Sequence, residues 1–198
     1  MSNSHYLPDN LKAHTRAMMF VDGENLSIRY KELLKSSEWL TVLDHVHYKE
    51  NVYVWSGYAN IAHHLHCEVV RKYYYSAVQG DAGSLQEVVA ELKSIGIESP
   101  VIFKKQKNRS SKRVDITLAT DMLSHAHRKN YDIAILVAGD DDYVPLVRAI
   151  KAEGCRVVLW FFQDSVGLSQ NLVNECDYFF DISWFLLQPK EFLGNRYE

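Results

Sequence analysis

Ala17-Met-Met-Phe-Val-Asp-Gly-Glu-Asn25 is an apolar run that stops on an aspartate and a glycine, and its reading decides the fold. Five apolar residues without alternation suit a strand covered on both faces, as in a parallel sheet. Asp22-Gly23 then turns the chain into a helix expected from about Glu24 to Ser36. The pattern recurs downstream. Strands are expected over Arg71–Val78, Pro100–Lys104, Ile133–Ala138, Arg156–Phe162 and Tyr178–Ile182. Between them lie helical patterns over Asp81–Ile95, Val114–Lys129 and the segment from Pro145 to Gly154. The second of these carries a stripe of Ile116, Ala119, Leu123 and Ala126. Strands alternating with helices predict a three-layer α/β/α sandwich around a mostly parallel, Rossmann-like sheet. Residues 37–60 have no clean period and read as an elaboration, with a small strand or ordered loop at Val52–Trp55, and a short helix is expected around Ile61–Val69.

One domain over 17–182 accounts for the main apolar runs of this 198-residue chain, with 1–16 as a polar N-terminal tail and 183–198 as a C-terminal tail. The first sixteen residues hold no apolar stretch of signal-peptide length, and Val157–Phe162 is far too short to span a bilayer, so a cytoplasmic protein with no membrane partner is expected. Cys67, Cys155 and Cys176 form no C-x-x-C pair, which argues against a disulfide framework or a zinc finger. His63, His64, His66 and Cys67 crowd together, but without a second pair they make no zinc site.

In such a sheet every strand-to-helix junction lies on one edge, so acids far apart in sequence can meet there. Asp22 follows the first strand and Asp140 the fourth. With strand order 3-2-1-4-5 these are neighbours at the point where the order reverses, the usual ligand site of open α/β sheets. Asp142 lies in the same turn as Asp140, and Asp115 opens the helix that crosses from the third strand to the fourth. Asp81, after the second strand, is a weaker candidate. Asp121 is roughly 240° around the helix from Asp115 and faces elsewhere. Any one aspartate could be only a helix cap or turn residue. Several carboxylates in one crevice call for a cation, and an all-oxygen set points to Mg²⁺ or Mn²⁺ rather than zinc. These metals suit phosphodiester hydrolysis without a Ser or His nucleophile.

Charge points the same way. The net charge is −3, yet Lys104-Lys-Gln-Lys-Asn-Arg-Ser-Ser-Lys-Arg113 carries six of the 22 basic residues and no acid, leaving the remainder at −9. This ribbon of Lys104, Lys105, Lys107, Arg109, Lys112 and Arg113 leaves the sheet at the acidic edge, where it could clamp the phosphates of RNA. A solvated loop of the same composition is the plainer alternative. The tyrosines of Arg71-Lys-Tyr-Tyr-Tyr75 read as core residues with paired hydroxyls rather than a stacking platform. No G-x-G-x-x-G follows the first strand, which sets dinucleotide redox chemistry aside, and Glu24 in Asp22-Gly-Glu24 breaks the D-x-D of an aspartate-nucleophile phosphatase.

Phe20-Val-Asp-Gly-Glu-Asn-Leu26, Lys112-Arg-Val-Asp-Ile-Thr-Leu-Ala-Thr-Asp121 and Ala138-Gly-Asp-Asp-Asp-Tyr-Val-Pro-Leu146 together resemble the NYN domain family, relatives of the PIN-like nucleases that include the LabA-like proteins. The resemblance runs from about Ala17 to Ile182. It implies a PIN-like sandwich of order 3-2-1-4-5 and a Mg²⁺- or Mn²⁺-dependent ribonuclease site. Carried over by motif, Asp22, Asp115, Asp140 and Asp142 would be metal or water ligands, Asn25 a polar helper and Asp121 a secondary acid. The family's acidic loop commonly reads Ser-Gly-Asp-x-Asp-Phe, whereas this chain has Ala138 and Tyr143 at the Ser and Phe positions. The expected function is a metal-dependent endoribonuclease acting on RNA. The alternative is a non-catalytic RNA-binding or regulatory module that keeps the acidic crevice, and the sequence is compatible with a homo-oligomer.

Overall fold

The computed structural model describes residues 15–60, 67–105 and 112–189. Its centre is a six-stranded parallel sheet of β1 (Arg16–Asp22), β4 (Glu68–Val78), β5 (Ser99–Lys104), β6 (Ile133–Val137), β7 (Arg156–Phe161) and β8 (Tyr178–Asp181) in the order β5-β4-β1-β6-β7-β8. Numbered by the strands expected from sequence, this is 3-2-1-4-5 with the sixth strand added beside the fifth. The chain builds outward from β1 to β5, returns to β6, and builds the other way. The order therefore reverses between β1 and β6, whose residues pair from Ala17↔Ile133 to Val21↔Val137.

Strand β1 shows why its sequence lacks polar residues. Ala17, Met19 and Val21 point into one core, and Met18 and Phe20 into the other. On the first face lie α1 (Gly23–Ser36) and α2 (Ala82–Ser94), contributing Leu26, Tyr30, Val88 and Leu92. On the second lie α3 (Lys112–His127), α4 (Val144–Ala152) and α5 (Gln170–Glu175). Each large apolar side chain buried in these cores contributes about 1.5–3 kcal/mol. Two helix ends follow their sequence signals. Asp81 caps α2 by accepting from the Ser84 amide at 3.0 Å, and Gly96 follows it at φ +91°, where a Cβ would be strained.

Four expectations need correction. Helix α3 buries Val114, Leu118, Met122 and Ala126, not the stripe through Ile116 and Leu123, which are 65% and 38% exposed. Apolar residues at both phases of this helix make either rotation compatible with the pattern. Within residues 37–60 the small strand expected at Val52–Trp55 is present as β3 (Tyr53–Ser56), but it pairs antiparallel with an unexpected strand, β2 (Val46–Lys49), as a two-stranded hairpin. Its β3 is anchored by side chains of the main sheet. Tyr74 hydroxyl accepts from the Val54 amide and donates to the Val54 carbonyl, both at 3.1 Å, while Ser76 Oγ donates to the Val52 carbonyl. Strand β4 begins at Glu68, so no helix reaches Val69; the expected helix otherwise falls on residues 61–66, outside the described residues, together with His63, His64 and His66. The core also continues past Ile182. Helix α6 (Ser183–Leu186) buries Phe185 and Leu186, with Phe185 packed against Trp160 and Phe180.

The three tyrosines of β4 all have paired hydroxyls. Besides Tyr74, Tyr75 donates to Asp121 Oδ2 at 3.0 Å and Tyr73 bonds His125 Nε2 at 3.0 Å. Among the described residues no helix is long and apolar enough to cross a membrane, and Cys67, Cys155 and Cys176 are free thiols.

Candidate acidic site at the sheet's switch point

Asp22 ends β1 and caps α1. Its Oδ1 accepts from the Asn25 amide at 3.0 Å, a bond that fixes the first turn, and the residue is only 2% exposed. Gly23 must follow it, because a Cβ there would lie 2.0 Å from the ring of the fully buried Tyr74. Asn25 then reaches across the switch point. Its Nδ2 donates to Asp140 Oδ2 at 2.9 Å, and its Oδ1 accepts from the Gly139 amide at 3.2 Å. One side chain thus ties the β1 junction to the β6 junction.

Tyr143 supplies the second tie. It lies in the 3₁₀ turn Asp141–Tyr143 after β6, is 3% exposed, and donates its hydroxyl to Asp22 Oδ2 at 2.9 Å, with Asp115 Oδ1 at 3.5 Å from the same oxygen. Asp115 stands half-buried in the first turn of α3, brought to this edge by the rotation that buries Val114 and Leu118.

The electrostatics are those of a pocket with surplus negative charge. Burial, reinforced by Asp115 and Asp140, pushes the Asp22 carboxyl up to about 7 against the two hydrogen bonds from Asn25 and Tyr143. Asp115 is raised by loss of water, then by the charges of Asp140 and Glu24. Asp140, on the exposed rim, is raised by partial loss of water and by Asp142, while the Arg29 guanidinium opposes the shift. Burial beside Asp22 and Asp115 also raises the Tyr143 phenol, keeping it a donor. Replacing Tyr143 with Phe removes a bond that favours the ionised form, so Asp22 is expected to titrate still further above its ordinary value. Carboxyl-carbon NMR titration checks this; an unchanged or lower Asp22 midpoint would contradict the bond.

The structure therefore brings Asp22, Asn25, Asp115, Asp140 and Asp142 to one edge. It leaves two candidates elsewhere. Asp81 is exposed and occupied as the α2 cap, and Asp121 accepts from Tyr75 on the flank of α3; neither shares a hydrogen bond with the pocket acids among the described residues. Asp141 is held by Ser169 Oγ and by Asn171 Nδ2 at 3.1 Å, a turn residue as its sequence context suggests. Of the basic ribbon, Lys104 is exposed at the end of β5 and the Arg113 guanidinium lies 4.5 Å from the Phe103 ring centroid. Lys105 pairs with Glu24 while its side chain stays 34% exposed. Lys107 and Arg109 lie outside the described residues, as does the side chain of Lys112.

Two residues of the site were not singled out from sequence. Glu24 is 7% exposed and joins the pocket through its charge on Asp115. Its first-turn position looks like an ordinary helix-dipole acid. Arg29 lies one turn beyond Asn25, bonds Glu32 at 2.8 Å and keeps a buried Nε without a hydrogen-bond partner. The i, i+4 spacing from Asn25 is the available signal for it.

A family model described as "NYN domain" matches residues 16–183. Comparison with curated proteins gave no match. Among solved structures the chain is similar to a protein of unknown function from Vibrio parahaemolyticus, with a TM-score of 0.62 and 18% identity, covering 95% of this chain and 100% of that one. At that identity the likeness speaks for the fold alone.

Proposed function

The chain belongs to the NYN domain family, a nuclease-like family of PIN-like relatives, and from that membership we propose that it is a Mg²⁺- or Mn²⁺-dependent ribonuclease acting at the β1–β6 switch point. The observation that carries this reading is Asp22: a buried carboxylate with its pKa pushed up to about 7, beside the charges of Asp115 and Asp140. A hard cation relieves that conflict.

The donor set fits such an ion. The converging acids offer only oxygen, and Glu24 Oε2 is buried without a hydrogen-bond partner. Among the described residues no three His, Cys, Asp or Glu side chains are gathered closely enough to enclose an ion by themselves. Mg²⁺ does not require such a cage, since it keeps several of its waters and takes one or two carboxylates plus substrate phosphate. Asp22 and Asp140 would hold the ion, with Asp115 and Asp142 acting through water. When bound, it supplies charge neutralisation at the phosphate and a more acidic water. The protein's part is to fix Asp22 through the Asn25 amide and Tyr143, to fix Asp140 through Asn25 Nδ2, and to present Arg29 beside Asp140. Lys104 and Arg113 would hold phosphates along the strand.

A fluorescently end-labelled single-stranded RNA tests the reading. Cleavage is expected with Mg²⁺ or Mn²⁺, is expected to stop with EDTA, and is expected to fall by about 100-fold or more in Asp140→Asn. RNA left equally intact by wild type and Asp140→Asn across metals would contradict it. Such an outcome, with Mn²⁺ still raising the melting temperature, would favour a regulatory RNA-binding module, the reading that Ala138 in the acidic loop supports.

A further inference from the structure

We propose that Glu24 is a cation-holding carboxylate of the acidic pocket and that the Lys105 ammonium is its built-in, displaceable counter-ion. The inference rests on the metal-dependent reading above and adds two residues to it. Glu24 lies between Asp22 and Asn25 in the first turn of α1, so its position is set by the same bonds that set the pocket. Its side chain is 9% exposed, one oxygen taking Lys105 Nζ and the other, Oε2, buried with no hydrogen-bond partner. A buried carboxylate oxygen without a donor is costly, and structures rarely keep one unless something else completes it.

Lys105 is placed to be that temporary completion. Its amide donates to the Val78 carbonyl at 2.8 Å, extending the β4–β5 ladder by one residue and pinning its backbone at the acidic edge. Its side chain remains 34% exposed, so the flexible stem has an open path to water. An ammonium is a single point charge. It neutralises one oxygen of Glu24 and leaves the surplus charge on Asp22, Asp115 and Asp140 in place. A divalent ion brings twice the charge and accepts several oxygens, so its arrival favours release of Lys105. Arg in place of Lys would bind both oxygens of Glu24 as a fork and block that exchange.

Isothermal titration of the full chain with MnCl₂, without RNA, tests this. Lys105→Met is expected to tighten Mn²⁺ binding by about tenfold, because the competing ammonium is gone, and Glu24→Gln to weaken it by about tenfold. Lys105→Met is also expected to melt lower than wild type without ion and to gain more from saturating Mn²⁺, since the ion then compensates a buried charge left alone. Unchanged or weaker Mn²⁺ binding by folded Lys105→Met, or wild-type binding by Glu24→Gln, would overturn the proposal. If Asp22→Asn abolishes Mn²⁺ binding while both of these variants bind as wild type, the metal reading stands and this inference falls. If no form binds Mn²⁺ at millimolar concentration, both fall.

Discussion

Asp22→Asn is expected to abolish RNA cleavage, by about 10³-fold, and at the same time to stabilise the ion-free protein at pH 8. The two effects have one cause. In the folded chain Asp22 releases its proton near 7, far above its ordinary value of 3.8, because burial disfavours the charge. Between those values the folded state holds a proton that the unfolded state has lost. Stability therefore falls as pH rises through this window and levels off above 7, a linkage on the order of 4 kcal/mol for a displacement of this size. Asn keeps the cap, since its Oδ1 can accept from the Asn25 amide, but never ionises. The expected net gain is smaller, roughly 2 kcal/mol at pH 8 or about 5 °C in melting temperature, because the amide gives up the charge-assisted bond from Tyr143. Below the ordinary carboxylate value the gain should vanish, both side chains then being neutral. Thermal melts of both proteins across pH, in EDTA, measure this. A variant that melts lower than wild type at pH 8 would mean that Asp22 is an ordinary stabilising cap.

Gly139→Ala should lower stability by about 3 kcal/mol. A Cβ there would lie 2.4 Å from the Phe161 ring and 2.5 Å from the Gly167 carbonyl oxygen. Neither neighbour yields easily, since Phe161 is fully buried in the core and the Gly167 contact is backbone. The residue also holds the site together through its own backbone: its amide donates to Asn25, and its carbonyl accepts from the Ser169 amide at 2.9 Å. Shifting it pulls Asp140 away from Asn25, so RNA cleavage should fall with stability. Gly57→Ala, where nothing lies within 4 Å of the added carbon, serves as the control and is expected to change stability by less than about 0.5 kcal/mol. Urea unfolding midpoints of the three proteins decide it. Equal midpoints for Gly139→Ala and wild type would show that the loop relaxes freely.

The sheet was legible in the sequence because its central strands β1 and β6 are buried on both faces. Ala17–Val21 and Ile133–Val137 contain no polar residue, and a glycine or aspartate marks where each chain segment turns. The parallel order followed from the alternation with helices, and the convergence of Asp22 and Asp140 followed from the order. What was not legible depends on partners distant in sequence. The hairpin Val46–Ser56 is held by the Tyr74 and Ser76 hydroxyls of another strand, which no local period announces. The rotation of α3 turns on which of two apolar stripes meets the sheet, and only packing chooses Val114, Leu118 and Met122 over Ile116 and Leu123. Helix α5 is six residues long, too short for a period, with Ser169 as its only signal. Glu24 was invisible as a site residue because an acid in a first helical turn is common; its burial and its unpaired oxygen are properties of the fold.

The central claim is that Asp22 and Asp140, clamped together by Asn25 and flanked by Asp115, hold a hard divalent ion. A crystal of the full chain soaked in MnCl₂ and measured for anomalous scattering from manganese tests it most directly. A strong peak is expected between the Asp22 and Asp140 carboxylates, lost from crystals of Asp22→Asn. A fully soaked crystal whose manganese lies only on other surfaces, with that edge empty, would contradict it.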